Sequence, residues 1–216
     1  MPIDIEKIVH TLKNQYHDKA STLMDVATTR KDPFLILISC LLSLRTKDEV
    51  TAEASKRLFR LANTPEQMLR LKSEEIETAI YPVGFYRRKT QQIIGICQVL
   101  IENYGSSVPD SIEELLKLKG VGRKTANIVI TLGYNKPGIA VDTHVHRISN
   151  RLGLVATKDP YQTEFALRKT LPKRYWICLN ELLVKHGKTI CTPISPKCSI
   201  CPITEYCSRV GVTRSR

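Results

Sequence analysis

The sequence has no apolar run long enough to cross a membrane. Its longest, Phe34 to Leu44 (FLILISCLLSL), falls well short of the roughly 20 residues a spanning helix needs, and reads as a buried core helix. No secretory leader is expected: the N-terminal MPIDIEKIVHTLK carries Asp4 and Glu6 where a leader needs positive charge. The expected location is therefore the cytoplasm of a prokaryote, with the nucleus left open. There is no repeat of solenoid length and no low-complexity tract, and 10 Gly with 11 Pro exclude a collagen-like or mainly disordered chain. Strand signals are nearly absent. Only Ile139-Ala140-Val141 could form a strand, too short to found a sheet. Acidic residues are few against basic ones, 21 to 33 in 216 residues, for a net charge of +12. Such a surface expects a polyanionic partner, nucleic acid or an anionic membrane face.

What is present is helix punctuation. Ile3, Ile5, Ile8, Val9 and Leu12 predict a first amphipathic helix, and Asp32-Pro33 a cap and first turn for the helix through Leu44. Thr46 with Glu49, and Ser111 with Glu114, have capping-box spacing, predicting helices to about Leu61 and from Ile112 to Leu118. Further helices are expected after Thr64-Pro65 and Ser73, over Arg87 to Tyr104, from Arg123, and near Thr143 to Arg151, Pro160 to Leu171 and Arg174 to His186. The fold class is all-α, with a division near residues 134 to 138, where Gly and Pro interrupt the helices.

Three segments carry chemistry. In Leu118-Lys119-Gly120-Val121-Gly122-Arg123-Lys124, two glycines one residue apart lie between predicted helices. They allow a tight turn that offers backbone N–H groups to a phosphate next to a helix N-terminus; the bland alternative is an ordinary helix–helix turn. Lys124 then falls in a helical first turn, where the dipole disfavours an ammonium and favours a nucleophilic amine. Asp142 precedes Thr-His-Val-His-Arg and is placed to cap the next helix. An amine and a carboxylate in one cleft can attack a sugar carbon and stabilise its positive charge, although each has a plainer role, Lys124 as a phosphate contact and Asp142 as a cap. The third segment holds Cys191, Cys198, Cys201 and Cys207. Four clustered thiols suit a tetrahedral zinc or a cubane iron–sulfur cluster, and the wide outer spacings favour the cluster; a disulfide pair is disfavoured without a secretion signal. Cys40, Cys97 and Cys178 lie in apolar contexts and are expected in the core. His144 and His146, two apart on a helix, make a weak metal pair.

The hairpin LKGVGRKTAN, then VDTHVHR, then C-x6-C-x2-C-x5-C, in this order, resemble the endonuclease III family of helix-hairpin-helix (HhH-GPD) DNA glycosylases. FLILISCLLSLRTKD and YPVGFYRRK resemble further family segments, in wording similar to archaeal and eukaryotic members. The resemblance covers about Asp25 to Cys207. It implies a six-helix barrel domain over residues 25–135 carrying the helix-hairpin-helix. It also implies a second helical domain from residues 1–24 plus 136–216, ending in a [4Fe-4S] cluster loop, with a DNA cleft between the two.

The implied activity is that of a bifunctional DNA glycosylase and AP lyase in base excision repair, monomeric, acting on double-stranded DNA with damaged pyrimidines or abasic sites. By the match, Lys124 is the nucleophile that forms a Schiff base and Asp142 the catalytic carboxylate. Gly120, Val121, Gly122, His144 and Lys197 contact DNA, and Cys191, Cys198, Cys201 and Cys207 bind the cluster. Arg45 stands where bacterial members commonly carry a gap-filling glutamine, Lys119 where a proline is usual, and Phe85 at the wedge position, with a core role as its alternative. Rival readings are a monofunctional mismatch glycosylase, which typically lacks the lysine, and a non-catalytic DNA-binding or redox-sensing protein.

Overall fold

Residues 4–16 and 31–216 are described in this computed structural model, and they form eleven α-helices and no strand. Ile3 and the expected domain boundary at residues 24 and 25 lie outside the described residues. The chain divides into two compact units, one holding the helices between Pro33 and Lys136, the other the first helix and everything from Pro137 onward.

With the described helices numbered from α1 (Ile5–Tyr16), the first unit is built round α2 (Pro33–Ser43), whose residues Phe34 to Leu42 are all buried. It starts where it does because the Asp32 carboxylate accepts the N–H groups of Phe34 at 2.8 Å and Leu35 at 3.2 Å, with Pro33 in the first turn. Such a cap contributes about 1 kcal/mol. Each buried Leu or Ile contributes roughly 1.5–3 kcal/mol, so the apolar run sets the position of everything packed on it. Around it lie α3 (Asp48–Leu61), α4 (Pro65–Arg70), α5 (Ser73–Ile80), α6 (Tyr86–Tyr104), α7 (Ile112–Leu115) and α8 (Arg123–Ile128), the last running into a π-helical turn, Val129–Gly133. Cys40 and Cys97 are core residues as expected, and burial pushes both thiols up to about 12.

Two expected capping boxes are corrected. Thr46 does not cap α3, which begins after Lys47 with no side-chain cap. The chain turns through Arg45 at φ +54°, carrying Thr46 away from the α3 first turn; its hydroxyl donates to the Leu44 carbonyl and accepts from the Gly84 N–H. Ser111 does accept from the Glu114 N–H at 3.3 Å. The Glu114 carboxylate, however, takes bonds from Tyr104 Oη and Lys117 Nζ instead of reaching back. Helix α7 accordingly stops at Leu115, and single-turn bonds from Leu118 and Val121 lead on to the hairpin.

The second unit comprises α1 (Ile5–Tyr16), α9 (Thr143–Leu152), α10 (Pro160–Thr170), a 3₁₀ turn at Lys173–Tyr175 and α11 (Trp176–Thr189). Ile8, Val9 and Leu12 of α1 join Val145, Ile148, Leu179 and Leu183 in its core. Residues 139–141 are buried yet form no strand: the Asn180 amide of α11 donates to the Ala140 carbonyl at 2.8 Å, satisfying a group that a strand partner would otherwise take. Among the described residues no helix is long and apolar enough to cross a membrane.

Candidate active site and metal centre

The hairpin is fixed from below by apolar side chains and from one side by α6. Leu118 and Val121 are buried, while Gly120, Gly122 and Lys124 are exposed. Gly120 has φ +83°, a conformation costing other residues roughly 1–2 kcal/mol. A Cβ there would also fall 1.7 Å from Gln92 Nε2, which donates to the Lys119 carbonyl at 2.9 Å. The Val121 N–H is consumed by the Leu118 carbonyl at 3.0 Å. That bond occupies one of the three N–H groups expected to meet phosphate. Gly122 is the N-cap of α8 and supplies no side-chain cap, leaving that N-terminus suited to an external anion. Lys124 occupies the α8 first turn as expected, and its charge reaches the buried Cys40 thiol, where it opposes the larger effect of burial.

Arg45 and Phe85 come together in the same unit. Both have left-handed backbones, φ +54° and +59°, and the Arg45 guanidinium lies 5.8 Å from the centre of the Phe85 ring. Phe85 is 59% exposed, so the core alternative is excluded.

In the second unit Asp142 caps α9: its Oδ1 accepts the N–H groups of His144 and Val145, both at 2.9 Å. This fixes the direction of the carboxylate. His144 Nδ1 pairs with Arg147 Nη2 at 3.1 Å, and His146 Nδ1 with Thr163 Oγ1 at 2.7 Å. The two imidazoles take separate partners, as their spacing implies for residues that do not share a face.

Cys191, Cys198, Cys201 and Cys207 line one cavity, together with Arg151, Leu152, His186, Lys197 and Ile203. The segment is held there by α9 and α11. Arg151 donates to the carbonyls of Thr192 and Pro193, each at 2.7 Å, and to Cys191 Sγ at 3.3 Å; Arg147 donates to the Cys191 carbonyl at 2.9 Å. His186 Nε2 lies 3.6 Å from Cys201 Sγ, and its Nδ1 meets Tyr16 Oη at 3.1 Å. Burial, then the like charge of neighbouring sulfurs, pushes the Cys201 thiol up to about 11, and burial raises Cys207 as well. Four thiolates here need a cationic group to neutralise them. Four thiols round a common cavity suit a metal centre with thiolate ligands, an iron–sulfur cluster among them.

Residues 38–173 match the HhH-GPD superfamily of base excision DNA repair proteins, and residues 191–207 the iron–sulfur binding domain of endonuclease III. Endonuclease III of Thermotoga maritima is 52% identical over 176 residues, covering 82% of this chain and 83% of the relative. The chain belongs to the endonuclease III family. A solved endonuclease III in a trapped covalent intermediate with DNA, with an estranged adenine, is similar at TM-score 0.83 and 34% identity, over 95% of this chain and 94% of that one. A thermostable thymine-DNA glycosylase is similar at TM-score 0.82 and 25% identity, over 94% and 95%. Like the family, the protein is an iron–sulfur protein with a [4Fe-4S] cluster.

The sequence reading missed Gln92, Arg151 and His186. Gln92 latches the hairpin from 27 positions away, and a lone glutamine in a helix carries no signal of that. Arg147 and Arg151 are four apart on α9 and share the face next to the cysteines. That i, i+4 spacing was the available clue.

Proposed function

We propose that Lys124 is the nucleophile and Asp142 the carboxylate that serves it. The enzyme is a bifunctional DNA glycosylase and AP lyase of base excision repair, acting on double-stranded DNA. The observation that carries the assignment is an exposed lysine in the first turn of α8, directly after a glycine hairpin, in a member of this family. The neutral amine attacks C1′ of an oxidised pyrimidine nucleotide; the N-glycosidic bond breaks and its electron pair leaves with the base. Ring opening gives an imine between Nζ and C1′. Loss of a C2′ proton then expels the 3′ phosphate by β-elimination, and hydrolysis frees the lysine. Asp142, held by its two cap bonds, would take the lysine proton and stabilise the positive sugar.

Gly120 and Gly122 would bind phosphate through N–H groups, with His144 and Lys197 as further contacts. Arg45 would fill the space of the extruded base, and Phe85 would wedge the opposite strand. Cys191, Cys198, Cys201 and Cys207 would hold the cluster, which supplies structure to the loop carrying Lys197. The protein would act as a cytoplasmic monomer on the nucleoid. The second reading is a monofunctional mismatch glycosylase; such enzymes typically lack the lysine, so Lys124 favours the bifunctional one.

Borohydride trapping tests this. Wild type on duplexes with thymine glycol or an abasic site should give a covalent adduct and a nick, and Lys124→Ala neither. Base release without an adduct would mean monofunctional action, and binding with neither product would remove the catalytic assignment.

A further inference from the structure

Lys89, in the first turn of α6, is 5% exposed although it carries a charge. Its Nζ lies 2.8 Å from the Leu42 carbonyl, 2.6 Å from the Leu44 carbonyl and 3.2 Å from Thr46 Oγ1. An ammonium has three hydrogens, and all three are used on uncharged oxygens. The Thr46 hydroxyl is saturated too: it donates to the Leu44 carbonyl and accepts from Lys89 and from the Gly84 N–H at 3.1 Å. Gly84 lies so close to the Arg45 turn that a Cβ would fall 2.7 Å from the Arg45 carbonyl. The Lys89 backbone N–H is fixed as well, donating to the Phe85 carbonyl at 3.0 Å.

These bonds converge on two exposed turns, each carrying a non-glycine residue with positive φ at its tip. Such conformations are strained for any residue with a Cβ and persist only where their surroundings over-determine them. A buried cation is itself costly, and burial pulls the Lys89 amine down to about 8. An apolar residue could fill the volume, but it could not hold three oxygens at the end of α2 in one place.

Building on the reading of Arg45 and Phe85 as the pair that enters the helix, we infer that Lys89 is a positioning residue that joins the Arg45 and Phe85 turns into one rigid insertion element. It clamps the carbonyls on which the Arg45 turn hangs, and that turn grips the Phe85 turn through Thr46 and Gly84. The two tips then enter DNA as a pair preset before binding, not one after the other.

The test uses the full-length holoenzyme with Lys89→Met and Thr46→Val, each alone and in an Arg45→Ala, Phe85→Ala background. Substrates are a thymine glycol duplex with 2-aminopurine beside the orphan base, and a single-stranded abasic oligonucleotide. Misplaced groups remote from the chemistry can cost up to about 100-fold; Lys89→Met should slow duplex base release about tenfold and weaken the 2-aminopurine signal. Nicking of the single strand should stay within about twofold. In the doubly substituted background Lys89→Met should have no further effect, because its route to the DNA is gone. The inference is overturned if both folded variants match wild type in base release and fluorescence. It is equally overturned if they slow single-strand nicking as much, or cost the same in both backgrounds, since either marks a general structural loss. Should Lys89→Met not fold, Thr46→Val at a half-exposed site decides by the same readouts. A wild type with no base release and no adduct would count against the glycosylase reading, and the 2-aminopurine signal would still decide the clamp.

Discussion

The hairpin at residues 118–123 and the cysteine segment at residues 190–207 are both candidate DNA contacts, yet they are held by opposite means. The hairpin rests on two apolar anchors, Leu118 and Val121, set in the core of its own unit, and on a side-chain latch from Gln92. Within the cysteine segment only Pro196 and Ile203 are buried, and its carbonyls hang on Arg147 and Arg151. One loop carries its own core; the other would borrow one from the cluster. The first should keep its shape without iron and the second should not.

The largest effect falls on chemistry and leaves both loops in place. Lys124→Ala should reduce adduct formation and nicking about 1,000-fold or more, the scale of losing an activated nucleophile. Because Lys124 is exposed, the unfolding free energy should move by no more than surface substitutions do, about 0.5 kcal/mol. A large loss of stability would mean that the lysine holds the hairpin and would blur the contrast.

Next comes the cofactor side. Arg151→Met removes the donors to Cys191 Sγ, Thr192 and Pro193, and loss of such outer partners typically costs 10–100-fold in metal affinity. Visible absorbance of the cluster should decay faster by about that factor. Amide exchange should open over residues 190–212 while the hairpin amides keep their protection. Equal loss of protection in both would break the comparison. Gly120→Ala is its mirror image. The positive φ and the collision with Gln92 should lower stability by roughly 1–2 kcal/mol and weaken DNA binding about tenfold, with the cluster absorbance unchanged.

Lys89 adds a smaller, pH-dependent term on the hairpin's side. Its amine titrates at about 8 in the folded protein against 10.5 in the unfolded chain. Below pH 8 both states hold the proton and the cost of burial is fully present. Between pH 8 and 10.5 the folded state gives up its proton first, so stability rises with pH through that window. The difference in denaturation midpoint between wild type and Lys89→Met should follow this rise; a difference flat in pH would show that Lys89 is not buried as a charge.

What the sequence made legible was what is local. Asp32 and Asp142 as caps, Gly120 and Gly122 in a tight turn, Lys124 in a first turn and four clustered cysteines each depend on neighbours within a few positions, and so could be read one segment at a time. Thr46 shows the limit of this. Its spacing to Glu49 fits a capping box, but the left-handed turn at Arg45 redirects the hydroxyl to Gly84, 38 positions on. Lys89 and Gln92 were invisible for the same reason: their partners are 47 and 27 positions away, and only folding brings them together. Residues 139–141, the one segment that could pass for a strand, form none, because the donor that satisfies Ala140, Asn180, comes from a helix.

The smallest effect separates the two loops by the kind of contact each makes. If the hairpin holds phosphate through the N–H groups of Gly120 and Gly122, it brings no cation and releases no counterion. Lys197, in the cysteine segment, does bring one. Lys197→Ala should therefore weaken binding only modestly but flatten the dependence of log K on log salt by about 0.9, one phosphate's worth. Gly120→Ala should weaken binding more and leave that slope as it is. Measured side by side from about 50 to 200 mM salt, the pair tells an electrostatic contact from a geometric one. A slope that changes for Gly120→Ala and not for Lys197→Ala would reverse the assignment: the hairpin would then orient the basic side chains Lys119, Arg123 or Lys124 on the backbone, and the cysteine segment would hold DNA by shape alone.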